Sequence, residues 1–305
     1  MSENQRRQND GTTDRWTVRN LLLILITLSV IPSFRRLSGQ GQDPVELLTL
    51  RFTAWTAISG LEQAATDSLL TLLPGARRDR TGNVTVTLGR GAPKRLITCQ
   101  LDEPGYVVGN VTEDGYFTLR RVGRVTTPLF DQHLEGQRVT LFGVRGPVPG
   151  VVAVKSTHLT RGRTSADLPF TVDNAYVDAG AASRDEALAL GVDVLTPVSL
   201  TKRPHRYGAG LVAAPFAGRR AACAALAAAV QSQPRVRGTV VVAFTVQNLE
   251  RRSPGSATVK VLGGPFQEVH EVRVPSHYIE TAAETVALAD ATQAFRDVVA
   301  WMGNP

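Results

Sequence analysis

The residues of this chain that could do chemistry are few, and most stand alone. His133 and His270 have no partner at metal-ligand spacing, and a surface or hydrogen-bonding role accounts for His158 and His205. Ser253 and Ser256 flank a Pro-Gly turn with no His/Asp pattern beside it, so no serine nucleophile is expected there. Gly105 and Gly115 are turn residues, and no Gly-x-Gly-x-x-Gly or Walker-type run offers a phosphate cradle. Cys99 and Cys223 are too few for a zinc knuckle or a disulfide framework. Both lie in apolar stretches and read as small core residues.

The elements that must position any site follow from the spacing of apolar residues. Pro44 opens a helical pattern through Leu47, Leu48 and Leu50, and a second helix after Ser59-Gly60 carries Leu61, Ala64, Ala65, Leu69 and Leu73 on one stripe. Strands are expected over 83–88 and 95–101, joined by a Gly-rich turn. From Pro104 to about Arg206 the texture changes to short β-rich runs (106–111, 116–122, 138–144, 150–154), with Asp114-Gly115 as a hairpin turn. One helix interrupts them. Ser183 and Glu186 fit a capping box at its start, and Gly191 closes it. After Arg206 the chain returns to α/β texture. It has an Ala-rich helix over 221–230, a nearly continuous apolar, β-branched strand over 238–247, a strand near 269–274, and a last helix over about 290–302 capped by Asp290 and Gln293.

The N-terminal region has a different character. Arg6, Arg7, Arg15 and Arg19 precede the apolar run from Leu21 to Ile31, which is of signal-peptide length and short of the roughly 20 residues that span a bilayer. An exported protein, secreted or held in the cell envelope by a signal peptide or uncleaved anchor, is therefore expected, with Leu21 to Ile31 as the membrane-anchoring segment. The net charge of +7 comes from arginines spread along the whole chain without a dense block or an aromatic ladder, so no nucleic-acid partner is expected. The organisation expected is a leader and linker over 1–43, an α/β domain from 44–103 plus 207–305, and an inserted β-rich domain over 104–206.

Several segments, taken in order, resemble the TET-type, or deblocking and glutamyl, aminopeptidase family of zinc exopeptidases. Ser59-Gly60-Leu61-Glu62 resembles its Ser-Gly-x-Glu start, and Thr81-Gly82-Asn83 its Gly-Asn entry to the first strand. Gln100-Leu101-Asp102-Glu103-Pro104-Gly105 resembles His-Met-Asp-Glu-Val-Gly. Gly150-Val151-Val152, His158-Leu159 and the stretch from Tyr176 to Glu186 follow the family through the inserted domain. Thr245-Val246-Gln247 resembles the strand before its Glu-Glu pair. Pro275-Ser276-His277-Tyr278-Ile279-Glu280 resembles Pro-x-Arg-Tyr-Ile-His, and Ala283-Glu284 the Pro-x-Glu that follows.

The departures fall on the chemistry that the resemblance implies. The first metal-binding histidine is Gln100, although the aspartate beside it survives as Asp102. The bridging aspartate is Ala217, with only Arg219 kept from that motif. That arginine is expected to meet either a peptide carboxylate or carbonyl, or a backbone carbonyl of the fold. The Glu-Glu pair that supplies a general base and a ligand is Asn248-Leu249, and the last histidine is Glu280. Two divalent cations put about four positive charges in a small space, which carboxylates must compensate. An amide neither compensates them nor acts as a base near neutral pH, and loss of a general base alone costs about 10²–10⁴ in rate. Asp102, His277 and Glu280 are the one set that could hold a single substitute ion. The stretch from Ala257 to Pro275 is also short for the family, by roughly 70 residues on typical element lengths.

The expectation is an α/β fold: a zinc-exopeptidase-like mixed sheet flanked by helices, shortened, with an inserted β-rich barrel or sandwich. The expected function is a non-catalytic, aminopeptidase-like binding or scaffold subunit without a cofactor. The alternative is a metal-dependent aminopeptidase with rewired ligands, using zinc or cobalt. The resemblance implies homo-oligomers built through the inserted domain. Another protein bound at an apolar surface left by the shortened core is the second kind of partner expected.

Overall fold

The computed structural model describes residues 43–127, 130–153, 170–249 and 261–304. Helix α1 (Pro44–Thr53) begins where the sequence provides a cap, a proline and an acid in its first turn. The Asp43 carboxylate accepts from the Val45 N–H at 2.9 Å and, through its other oxygen, from the Thr292 hydroxyl at 2.9 Å. Helix α2 (Gln63–Leu72) buries Ala65, Thr66 and Leu69, and Pro74-Gly75 stops it.

The first sheet joins β1 (Arg77–Arg78), β2 (Val84–Gly89), β3 (Lys94–Gln100), β12 (Thr239–Thr245) and β13 (Glu268–Glu271), in the order β1-β2-β12-β3-β13. Strand β12 is parallel to β3 and antiparallel to β2, as befits a mixed sheet. Its apolar run is buried on both faces, whereas β2 alternates buried Val84 and Val86 with the outward Thr85 and Thr87. One face packs against α1, α4 (Ala217–Gln231) and α5 (Leu288–Gly303). The alanines of α4 allow close packing on every side, and even Arg220 within it is fully buried.

Two expectations are corrected here. Cys99 on β3 and Cys223 on α4 are not separate core thiols but a disulfide, with Cα atoms 5.4 Å apart, because the helix crosses the sheet directly over that strand. Helix α5 starts at Leu288, not near Asp290. Strand β14 (Thr285–Ala287) feeds straight into it, no side chain caps it, Asp290 sits in its first turn, and Gln293 donates to Asp297 at 2.8 Å.

The inserted β-rich segment is a closed barrel of β4 (Gly105–Val111), β5 (Phe117–Val122), β6 (Arg138–Gly143), β7 (Gly146–Val152), β8 (Tyr176–Asp178) and β9 (Pro197–Leu200), ordered β4-β5-β8-β7-β6-β9. Tyr106, Val108, Phe117, Leu119, Val139 and Leu141 fill its core. Gly115 turns the β4–β5 hairpin at φ 86°, where a Cβ would lie 2.6 Å from the Ala181 carbonyl. Helix α3 (Arg184–Ala189) keeps half of its expected capping box. The Ser183 hydroxyl accepts from the Glu186 N–H at 3.3 Å, but the Glu186 carboxylate reaches one residue further back, to the Ala182 N–H at 2.9 Å. A small sheet, β10 (His205–Tyr207), β11 (Leu211–Ala213) and β14, leads back to the helical layer.

A buried ionic cluster ties the barrel to the α/β layers at the β3–β4 junction. The Glu103 carboxylate accepts from Lys202 Nζ at 2.9 Å, from the Arg220 guanidinium, and from the Ala57 N–H at 3.3 Å. Burial alone would raise Glu103, but Arg220 and Lys202 hold it below the ordinary carboxylate range. Burial drives Lys202 below the usual lysine range; Glu103 opposes that shift and Arg220 adds to it.

Candidate functional site: a cleft beside the ends of the parallel strands

Strands β3 and β12 run parallel and in register, Thr245 opposite Gln100, so the loops that leave their carboxyl ends emerge side by side. This is where open α/β sheets place their ligands. The first loop carries Asp102 and Glu103, and the second carries Asn248 and Leu249. Next to these loops, the end of β3, the N-terminus of α4, residues 271–274 and a strap from Pro275 to Glu284 line a cavity of about 260 Å³; Gln100, Arg219, Ala222, Glu271, Ser276 and Ile279 are on its wall, whereas Asp102, Asn248 and Leu249 lie outside its lining.

The backbone around this cavity is held in left-handed conformations that residues other than glycine seldom adopt. Phe216 (φ 60°) and Gln247 (φ 56°) each immediately precede a motif position, Ala217 and Asn248, while Tyr278 (φ 55°) and Glu280 (φ 59°) shape the strap. Such residues cost about 1–3 kcal/mol each and gather at functional sites. At the start of α4, Gly218 meets a second constraint: a Cβ there would lie 2.8 Å from Ser276 Oγ and 2.9 Å from Glu284 Oε1.

Every carboxylate that approaches the cleft from the motif positions is held by donors of the protein itself. Asp102 is fully buried; its Oδ1 accepts from Asn248 Nδ2 at 2.7 Å and its Oδ2 from Ser59 Oγ and the Leu249 N–H, each at 3.0 Å. Glu280 accepts from the Thr126 N–H (2.9 Å) and hydroxyl (2.8 Å) and from the Thr127 N–H (3.0 Å), on the barrel side. Glu284 lies at the N-terminus of α4, accepting from the Gly218 N–H at 2.8 Å, Ser276 Oγ at 2.9 Å and the Glu280 N–H at 3.1 Å. Glu62 accepts from the Gln247 N–H at 2.8 Å, and burial raises its pKa. The Ser-Gly-x-Glu segment thus braces both loops, Ser59 through Asp102 and Glu62 through Gln247.

The sequence-derived positions fall out as follows. Gln100 and Arg219 line the cavity, and Arg219 donates to the Asp102 backbone carbonyl at 3.0 Å. Ala217 is fully buried in the helical core. The substitute set Asp102, His277 and Glu280 is not assembled. The two carboxylates are buried on different partners, and His277 is exposed, its backbone bridged to Thr285. Among the described residues no group of three or more His, Cys, Asp and Glu side chains converges to hold a metal ion. His205 stacks on Tyr207 and His270 on Trp301. His158, Ser253 and Ser256 lie outside the described residues. Sequence reasoning missed Lys202 and Arg220; a second arginine directly after Arg219 in an otherwise alanine-rich helix was the available signal for the latter.

This arrangement defines the class: residues 82–249 match the M42 glutamyl aminopeptidase family, and the chain belongs to that family. It is similar to a protein of Escherichia coli (strain K12) provisionally named aminopeptidase SgcX, 34% identical over 180 residues, 56% of this chain and 46% of that one. It is also similar to the lysyl aminopeptidase of Pyrococcus furiosus, 27% identical over 203 residues, 61% of this chain and 58% of the relative. The chain therefore spans about half the length of these relatives. In fold it resembles the Pyrococcus horikoshii TET1 peptidase, which can assemble into a tetrahedron or a large octahedral shell. That match has a TM-score of 0.71 at 21% identity and covers 85% of this chain and 100% of the other. Aminopeptidase APDkam598 of Desulfurococcus kamchatkensis gives 0.70 at 17% identity, over 86% and 95%. The expected mixed α/β fold with its inserted barrel is borne out.

The comparisons correct two further expectations. The family is one of metal-dependent aminopeptidases, which overturns a plain expectation of no cofactor. The side chains at the positions that the motif resemblance aligns with the family's metal ligands (Gln100, Ala217, Asn248, Leu249 and Glu280) nevertheless do not fit a two-metal centre. They offer two amides, two hydrocarbons and one carboxylate already bound by three donors. The expected export or envelope location is also dropped, because the family and its relatives are aminopeptidases without a membrane or envelope designation. Among the described residues no helix is long and apolar enough to cross a membrane, and Leu21 to Ile31 lie outside them.

Proposed function

We propose that this chain recognises peptides in the cleft of its aminopeptidase fold and acts there as a non-catalytic binding or scaffold subunit. One observation carries this reading: the Asp102, Glu280 and Glu284 carboxylates are consumed by protein donors, Ser276 Oγ among them, and Glu271 on the cavity wall pairs with Arg273, while Gln100 and Arg219 also line this open cavity. Amide and guanidinium groups can bind a peptide's carbonyls, N–H groups and carboxylate, but neither is a base that activates water. The assemblies named for the TET1 peptidase support a homo-oligomer as the working form.

A second reading, a metal-dependent aminopeptidase with rewired ligands, has family membership and the names of the relatives in its favour. It requires donors beyond those that the described residues bring together. One pair of measurements separates the two. The purified chain, incubated with zinc or cobalt, is assayed for release of a chromogenic amine from aminoacyl anilides, and peptide binding is followed by calorimetry. The binding reading expects saturable heat from short peptides and turnover at the level of buffer. Turnover that a chelator abolishes overturns it in favour of the second.

A further inference from the structure

A separate groove lies on the outer face of the barrel. On β6, Val139 and Leu141 are fully buried in the barrel core, so Arg138, Thr140 and Phe142 face outward. The β6–β7 register sets Val151 beside Arg138, Pro149 beside Thr140 and Pro147 beside Phe142, a row of apolar side chains. On the other side of β6, the Thr201 N–H donates to the Arg138 carbonyl at 3.0 Å, and its hydroxyl lies 3.2 Å from that of Thr140. These surfaces enclose an open groove of about 590 Å³ lined by both Arg138 and Arg203. A smaller recess of about 120 Å³ shares the two arginines and extends the groove toward Pro215 and Ala282.

The groove carries an excess of positive charge, two arginines against one carboxylate. Both arginines are exposed, and among the described residues neither forms an ion pair, whereas Arg121 on the same barrel holds Asp131 at 3.1 Å. Asp178 also lines the groove; the register places its backbone beyond Val151, two strands and about 10 Å from the backbone of Arg138, and the two form no ion pair among the described residues. Asp178 Oδ1 already accepts from the Gly180 N–H at 2.7 Å.

The strands here are paired on both sides within a closed barrel, so a ligand cannot add as a further strand and must be read by side chains. Guanidinium groups take carboxylates as planar, two-pronged partners. Two cations beside an apolar wall suit an amphipathic chain better than a dense polyanion. We propose that this groove binds an acidic, extended peptide segment of a partner protein. Carboxylate side chains sit on Arg138 and Arg203, and apolar side chains lie over Pro147, Pro149 and Val151. The net charge of +7 draws such a partner in. This proposal stands independently of what the cleft does.

The test uses the full chain and a short fluorescein-labelled peptide in which glutamate alternates with proline and valine, together with its glutamine counterpart. Fluorescence anisotropy should show saturable binding of the acidic peptide, weakened about tenfold or more by glutamine in the peptide, by the R138A/R203A double substitution, or by raised salt. R138K/R203K should restore only part of the affinity, since lysine lacks the fork. The proposal is overturned if both peptides bind alike, if neither binds, or if R138A/R203A binds the acidic peptide as the parent does. It also falls if sedimentation shows that R138A/R203A splits an oligomer that the acidic peptide leaves intact. The groove would then be an interface between copies.

Discussion

The Asn248 side-chain amide donates to the Asp102 carboxylate at 2.7 Å, joining the loops that leave the two parallel strands beside the cleft. Ser59 Oγ and the Leu249 N–H hold the other oxygen, so Asp102 is fixed by hydrogen-bond donors and serves as the keystone of a buried polar network. An asparagine here supplies the donor that a carboxylate could not.

The substitution Asn248→Asp tests that role. It would set two buried carboxylates against each other, and one must take a pKa above its ordinary range. The folded state would then bind more protons than the unfolded chain between the ordinary value, about 4, and the raised one, so stability falls as pH rises through that window. The variant should lose about 1–3 kcal/mol at pH 7 and regain most of it near pH 4. Urea titrations at both pH values check this, and equal stability at pH 7 would show that the amide does not hold the loops.

Glu103→Gln addresses the ionic cluster at the barrel junction. The neutral side chain leaves Arg220 and Lys202 buried without a counter-charge, which should cost about 3–5 kcal/mol in chemical denaturation. In the parent protein the folded-state pKa of Glu103 lies below its unfolded value. Its contribution is therefore fully present above about pH 4.3 and is lost as pH falls through the folded value. The variant should lack that acid-side slope.

Much of this was legible in the sequence because it rests on local patterns. The unbroken apolar run from Val240 to Phe244 marked a strand buried on both faces, and the segment 83–88 marked a strand ahead of it. What stayed hidden depends on partners distant in the chain. Glu280 meets Thr126 across 154 residues, and Cys99 meets Cys223 across 124. Arg219 and Arg220 are adjacent on a helix, about 100° apart around its axis, and nothing in their order says which one enters the core. Lys202 lies in a polar segment that reads as loop, and only the closure of the barrel against α4 buries it.

His133 provides a prediction in the mildly acidic range. Its ring packs edge-on against Phe130 at 4.4 Å, its Nδ1 is buried with no hydrogen-bond partner among the described residues, and burial lowers its pKa to about 4. The folded state therefore binds fewer protons than the unfolded chain between about pH 4 and 6.5, and stability falls as pH drops through that window. The loss amounts to at most about 3 kcal/mol, at about 1.4 kcal/mol per pKa unit. His133→Phe keeps the aromatic packing and should flatten this part of the stability–pH curve. An imidazole signal titrating near pH 6.5 in the folded protein would contradict the assignment.

The Cys99–Cys223 bond closes a loop between residues 124 apart and pins β3 to α4 one residue behind Gln100 and Ala222, both on the cavity wall. A cross-link of that span restricts the unfolded chain most, and removing it should cost about 2–4 kcal/mol. Both cysteines are fully buried, so a phosphine reductant should act on the folded protein only through opening motions, slowly below the melting transition and fast within it. The expected outcome is a lower urea midpoint for reduced protein and for the C99A/C223A variant, with peptide binding in the cleft weakened in both. Alkylation of the unreduced, unfolded chain should add no mass. Two alkylated thiols there would show that the strand and helix are held by packing alone.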